Sequence, residues 1–137
     1  NNGFKHGTVM TRRKEEGIKL ASLYGYKHVL DSESMEARLL INATPIGMEG
    51  GKEAHSLSFS PDMIKKASII FDVVALPVET PLIKEAMNQD KAVISGADVA
   101  VIQSLEQFVL YTGVRPTVEI VKEASDFARN YIKEKNK

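Results

Sequence analysis

The chain has 137 residues, 43% of them hydrophobic and 26% charged, a composition that fits one soluble globular domain and excludes a disordered or fibrous chain. Eighteen basic side chains balance eighteen acidic ones, so no net field recommends nucleic acid or an anionic membrane as a partner. Cysteine is absent, which removes disulfide frameworks and thiolate metal sites, and no apolar run approaches the ~20 residues of a membrane-spanning helix.

Asn1-Asn2-Gly3-Phe4-Lys5 lacks signal-peptide character and reads as the end of a helix and a turn, as if the chain began inside a domain. Thr8-Val9-Met10-Thr11 is a short β-prone run after Gly7. Ile18, Leu20-Ala21 and Leu23-Tyr24 give helical spacing over residues 14–24, and Gly25 closes that helix. Tyr26 to Leu30 is a second short strand. Leu39-Leu40-Ile41 is a third, apolar on both faces as a buried parallel strand should be. Residues 47–57 hold three glycines and read as a loop. Ser60-Pro61 sets an N-cap before a proline at the first helical position, opening a short helix that ends near Lys66. Ile69-Ile70-Phe71-Asp72-Val73-Val74 is the strongest strand. Thr80-Pro81 repeats the cap-plus-proline signal, and Leu82, Ile83, Ala86 and Met87 form one apolar helical face. Ala92-Val93-Ile94 is another strand. Asp98 to Tyr111 reads as a helix with Val101, Leu105, Phe108 and Val109 on one side. Pro116-Thr117 opens a last helix with the face Val118, Val121, Ala124, Phe127-Ala128 and Tyr131, and Lys133 to Lys137 is a charged, solvated tail.

Strands alternating with helices predict an α/β fold with a doubly wound parallel sheet. A dinucleotide-binding domain of that kind opens with a strand, a glycine-rich turn and a helix whose N-terminal amides receive the pyrophosphate. No such turn is present: Gly3 and Gly7 are isolated, and Gly47, Gly50 and Gly51 do not make the G-x-G-x-x-G spacing. His6, His28 and His55 are scattered without metal-ligand spacing, so no metal site is expected.

One string is more specific than the periodicities. Asn42-Ala43-Thr44-Pro45-Ile46-Gly47-Met48 follows an apolar strand, and downstream come Phe71-Asp72-Val73-Val74, Pro77-Val78-Glu79-Thr80-Pro81, Gly96 and Gln103. Together these resemble the C-terminal half of a shikimate dehydrogenase, from about Gly7 to Arg129, closest to the shikimate-dehydrogenase-like branch. The resemblance implies an incomplete Rossmann-type domain over residues 1–137, with C-terminal helices over about 97–134. The first strand and glycine-rich turn would lie upstream, and so would the substrate domain with its catalytic lysine and aspartate, so no catalytic residue is expected in this chain. It implies an NADP-dependent oxidoreductase interconverting 3-dehydroshikimate and shikimate, or a related cyclic hydroxy acid, in aromatic amino-acid and chorismate biosynthesis. The location would be cytoplasmic and the assembly a homodimer. The rival readings are a quinate/shikimate-type paralogue with relaxed cofactor use and a non-catalytic cofactor-binding or assembly piece.

The candidate residues sit at strand ends, where parallel sheets bind ligands. Thr11-Arg12-Arg13 follows the Val9 strand, at the position where an NAD-preferring fold carries an acid for the ribose 2′-hydroxyl; here it is basic, suited to a 2′-phosphate. The plain alternative is a solvated basic turn. The resemblance matches Arg12 to the family's arginine, with Thr11 in place of an asparagine. Asn42 and Thr44 either bond the cofactor's ribose region or merely form a strand-ending turn. Val74 and Gly96 are cofactor-binding positions by the resemblance alone. Gln103 corresponds to a glutamine that binds the substrate's polar groups, against the alternative of an ordinary exposed glutamine such as Gln107. Two departures bear on the substrate: Ala75 stands where family members usually carry tyrosine, and Ser95-Gly96-Ala97-Asp98 replaces a two-glycine segment. Asp98 is then either a carboxylate near the nicotinamide or a simple helix cap. Asp72, inside an apolar run, leans structural.

Overall fold

A computed structural model describes residues 5–30 and 36–135, apart from the side chains of residues 129 and 131–135. The chain divides into two compact units at Glu36. The helix end expected over Asn1–Lys5 falls almost wholly outside the described residues, as do the last two residues of the expected charged tail.

In the first unit, β1 (Thr8–Met10) leads through α1 (Lys14–Tyr24) to β2 (Lys27–Val29). The strands pair in parallel with Val9 opposite His28. Glu15 and Glu16 in the first turn of α1 suit its positive end. Gly25 ends the helix at φ 67°, a left-handed conformation that glycine adopts without a Cβ penalty. Gly17 and Ala21 are the buried positions of α1. A Cβ on Gly17 would collide with Thr11 Oγ1 and His28 Nε2, so the glycine lets α1 lie against the strand ends.

The second unit holds β3 (Leu39–Asn42), α2 (Pro61–Lys66), β4 (Ile69–Asp72), α3 (Pro81–Asn88), β5 (Ala92–Ile94), α4 (Gly96–Thr112) and α5 (Val118–Lys135). Its three strands are parallel in the order β3-β4-β5, with Leu40 opposite Ile70 and Asn42 opposite Asp72. Both capped starts form as read: Ser60 Oγ accepts from Met63 N, and Thr80 Oγ1 accepts from Ile83 N, each ahead of a proline. Leu40 and Ile70 point to one face and are buried, and Met63, Ile64, Leu82, Ile83 and Ala86 of α2 and α3 are buried with them. α3 contacts β4 and β5, and α2 packs on α3.

Several expectations are corrected. Ile41 is 48% exposed, so the third strand is not buried on both faces; β3 pairs only with β4 among the described strands, and its alternate residues lie on a face that the neighbouring helices leave open. β4 ends at Asp72: Val73 N still donates to Asn42 O at 3.0 Å, but Val74 gives its N–H to Asp72 Oδ1 and the chain leaves the ladder. α4 starts at Gly96, two residues early, since Ser95 is its cap. Met87, Phe108, Val118 and Phe127 are exposed, so the apolar stripes of α3, α4 and α5 extend beyond what this chain covers.

Candidate functional site

The end of β1 carries the first cluster of polar candidates. Thr11 is half-buried, and its hydroxyl donates to Arg13 O at 2.9 Å while lying 3.1 Å from His28 Nε2. A hydroxyl has one proton, so with that proton on Arg13 O the ring N–H of His28 donates to Thr11. Thr11 is therefore used to shape the turn that presents Arg12 and Arg13. Both arginines are exposed. Arg13 makes a loose ion pair with Glu16 at 3.4 Å, with its own side chain 81% exposed. Surface pairs of this kind are weak and readily exchanged for a stronger anion.

The second cluster lies where β3 and β4 end side by side. Segments 43–45, 48–49 and 73–76 line a cleft of about 620 Å³. Its lining is apolar at Ala43, Pro45, Met48 and Leu76, with Thr44 adding a hydroxyl and Glu49 a carboxylate. A bond from Glu49 N to Leu76 O at 3.0 Å ties the two loops together. Gly47, at φ 86°, makes the turn within the first of these loops possible, closed by Met48 N donating to Pro45 O at 3.1 Å.

Behind the cleft runs a buried polar network. Asn42 and Asp72 are 1% and 0% exposed. Asn42 Nδ2 donates to Asp72 Oδ1 at 2.9 Å and to Ile46 O at 3.1 Å. Asn42 Oδ1 accepts from Thr44 N at 3.1 Å and from the Thr44 hydroxyl at 2.6 Å. Asp72 Oδ1 also accepts from Val74 N at 3.1 Å, and Thr80 donates its hydroxyl to Asp72 Oδ2 at 2.6 Å. Asn42 is thus fully engaged within the protein, and Thr44 and Val74 are the members that reach the cleft lining. Val74 is buried with its N–H committed to Asp72.

Gly96 is buried at the start of α4, and a Cβ there would strike the carbonyl oxygens of Val73 and Val74. Glycine at this position brings the helix start against the loop after β4. Asp98 closes a capping box: its Oδ2 accepts from Ser95 N at 3.3 Å and Ser95 Oγ at 2.6 Å, while Ser95 Oγ accepts from Asp98 N at 3.2 Å. Asp98 is therefore not the N-cap itself, which is Ser95, but the third helical residue that closes the capping box. Gln103 is exposed two turns along α4 and joins neither cluster. Among the described residues, no group of three or more His, Asp and Glu is placed to hold a metal, and no helix is long and apolar enough to cross a membrane.

The sequence did not reveal the Asp72–Thr80 bond. Thr80 was legible as a cap, and a carboxylate in an apolar strand signals that donors must await it, but which donors is a matter of tertiary packing.

Parallel strands, capped helices and polar loops gathered at the carboxyl ends of the strands define a Rossmann-type α/β protein. No family model matches the chain. It is 48% identical to a shikimate dehydrogenase-like protein of Haemophilus influenzae, over 94% of this chain and 48% of that one. Among solved structures, a shikimate 5-dehydrogenase-like protein superposes with a TM-score of 0.90 at 48% identity, covering 94% of this chain and 48% of that one. Shikimate 5-dehydrogenase of Thermus thermophilus in complex with NADP(H) and shikimate gives 0.72 at 27% identity, covering 88% and 45%. Quinate dehydrogenase of Corynebacterium glutamicum in complex with NAD gives 0.72 at 26%, covering 92% and 47%. By sequence and by fold, the chain belongs to the shikimate dehydrogenase family, and it spans about half the length of the relatives it matches.

Proposed function

We propose that this chain is the C-terminal part of the NADP-binding domain of a cytoplasmic oxidoreductase that interconverts 3-dehydroshikimate and shikimate, or a related cyclic hydroxy acid. The observation that carries the cofactor choice is the end of β1, where two exposed guanidinium groups stand on a turn held by Thr11 and His28. A guanidinium offers paired donors that match a phosphate, and no acidic residue occupies the strand end to claim a ribose 2′-hydroxyl. The donor chemistry therefore fits NADP. Arg12 and Arg13 would hold its 2′-phosphate, Thr44 and the Val74 carbonyl region its ribose side, and Gly96 the close approach at α4. Bound NADP supplies the hydride acceptor or donor; this chain's residues bind and orient it. Gln103 would donate and accept hydrogen bonds with the substrate's polar groups. The general acid–base groups belong to the remainder of the protein, so the 137-residue chain alone is inactive.

A second reading is a quinate/shikimate-type paralogue with relaxed cofactor use. It draws support from the quinate dehydrogenase neighbour, whose solved complex holds NAD, and from Ala75, a small side chain in the cleft lining. Steady-state kinetics of the full-length enzyme with shikimate and quinate, each against NADP and NAD, separate the two. A kcat/KM for NADP far above that for NAD, with shikimate preferred, supports the first reading. Equal use of both cofactors, or a preference for quinate, supports the second. No turnover in any combination refutes both.

A further inference from the structure

Asp72 is fully buried, and the proposed chemistry does not use it as a reacting group. A carboxylate so placed is costly to fold around unless donors meet it. Three donors do, and they come from three different segments: Asn42 at the end of β3, Val74 in the loop after β4, and Thr80 at the start of α3. The consequence for the cleft follows from the chemistry of an amide. Asn42 gives one amide hydrogen to Asp72 and the other to Ile46 O, so its carbonyl oxygen must face Thr44, which it meets with two accepted bonds. With the amide reversed, its oxygen would oppose the Asp72 carboxylate and its NH₂ would oppose two donors from Thr44. The acceptor oxygen of Asp72, together with Ile46 O, therefore sets which way Asn42 faces, and Asn42 sets where Thr44 stands. The same carboxylate grips Val74 N, whose residue lines the cleft from the β4 side.

We infer that Asp72 is the positioning residue of the ligand cleft, setting the Thr44 and Val74 segments for a nicotinamide dinucleotide without touching it. The identity of that ligand rests on the function proposed above; the positioning of the loops does not. Ser60 provides a matched comparison. It also caps a helix of this unit, accepting from Met63 N at 3.3 Å, but it is not part of the cleft lining.

The test uses the full-length protein and the variants Asp72→Asn, Thr80→Val, Thr80→Ser and Ser60→Ala, at a temperature where each is folded by circular dichroism. Two quantities are read: the Kd for NADP, and the amide hydrogen-exchange rates by NMR of Thr44, whose N–H donates to Asn42 Oδ1, and of Ile46, whose N–H donates to Thr44 Oγ1 at 3.3 Å. Asp72→Asn and Thr80→Val are expected to raise the Kd about tenfold, equivalent to about 1.4 kcal/mol, and to speed exchange at both amides. Thr80→Ser restores the hydroxyl donor to Asp72 and should return both quantities close to wild type. Ser60→Ala should leave both unchanged despite its lost cap. If Asp72→Asn does not fold, the contrast between Thr80→Val and Thr80→Ser decides. Wild-type exchange at Thr44 and Ile46 in a folded Asp72→Asn or Thr80→Val protein overturns the inference, as does equal acceleration in Ser60→Ala. A wild-type protein that shows no NADP binding but the expected exchange pattern removes the cofactor assignment and leaves the positioning role standing.

Discussion

Arg12 and Arg13 share one exposed turn. Arg13 pairs with Glu16 across a helical turn, and Arg12 is the residue the family resemblance matches to a phosphate-reading arginine. If Arg12 reads the 2′-phosphate, Arg12→Ala in the full-length enzyme weakens NADP binding by ~1.5–3 kcal/mol, the range for a hydrogen bond to a charged group. NAD binding should barely change, since NAD lacks that phosphate. Titration calorimetry with both cofactors checks this, and equal losses would show that Arg12 does not discriminate. Gln103 poses a different question, because it is exposed on α4 and joins neither polar cluster of this chain. As a substrate ligand, its replacement in Gln103→Ala should lower kcat/KM for the hydroxy acid by roughly tenfold or more while cofactor affinity holds. An unchanged kcat/KM would make it a surface glutamine like Gln107.

Helix starts were legible in the sequence because capping is local: Ser60-Pro61 and Thr80-Pro81 name the cap and the first helical residue without reference to the rest of the fold. The start of α4 was read late because its capping box uses Asp98 at the third helical position instead of the usual Glu or Gln. The end of β4 was not legible, since Val73 and Val74 are β-prone and only their position past the last paired residue takes them out of the ladder. The role of Gly96 was available only through resemblance. Its physical reason, a carbonyl pair where a Cβ would sit, needs coordinates. Backbone oxygens cannot rotate away as a flexible side chain can, so Gly96→Ala should cost about 1–3 kcal/mol by urea unfolding, in line with overpacking. A neutral Gly96→Ala would mean that α4 can slide without loss. At the far end of α4, Arg115 forms a two-pronged bond with Glu106 at 3.0 and 2.9 Å, both side chains exposed. That hydrogen bond, followed by Coulombic attraction, lowers the Glu106 carboxyl below the ordinary carboxylate value. A lowered folded-state value adds stability above the unfolded value that is lost as the pH falls through the folded one. The difference between wild type and Glu106→Gln should therefore be small near neutral pH, shrink on acidification and fade in high salt. Denaturation midpoints across pH would show it, and a difference that grows toward acid would contradict the pairing.

The described strands form one pair and one triplet, so β1 and β3 each pair along one edge only. A strand edge leaves N–H and C=O groups open to another strand, and natural sheets seldom leave such an edge bare. A two-stranded parallel pair is also below the size that holds together on its own in water. Apolar surface accompanies these edges: Ile41, Ile69 and Ile94 alternate onto the open side of the triplet, and Leu110, Tyr111, Val118 and Phe127 are largely exposed on α4 and α5. If, as proposed, the chain is part of a longer enzyme, the rest of that protein would cover much of this surface. The 137-residue chain by itself has two ways to relieve it. Either the Thr8 segment detaches or pairs elsewhere, or a second copy supplies contacts through an edge-paired or swapped dimer. Light scattering on the purified chain should then report a dimer or larger species; a monomer is compatible only if hydrogen exchange finds β1 unprotected while β4 is protected. The chain should also give no NADP reduction with shikimate, because the pyrophosphate turn and the acid–base pair expected of the family are not among its residues. A monomer with every strand protected, turning over shikimate, would refute both the exposed-edge argument and the division of labour between the two halves of the enzyme.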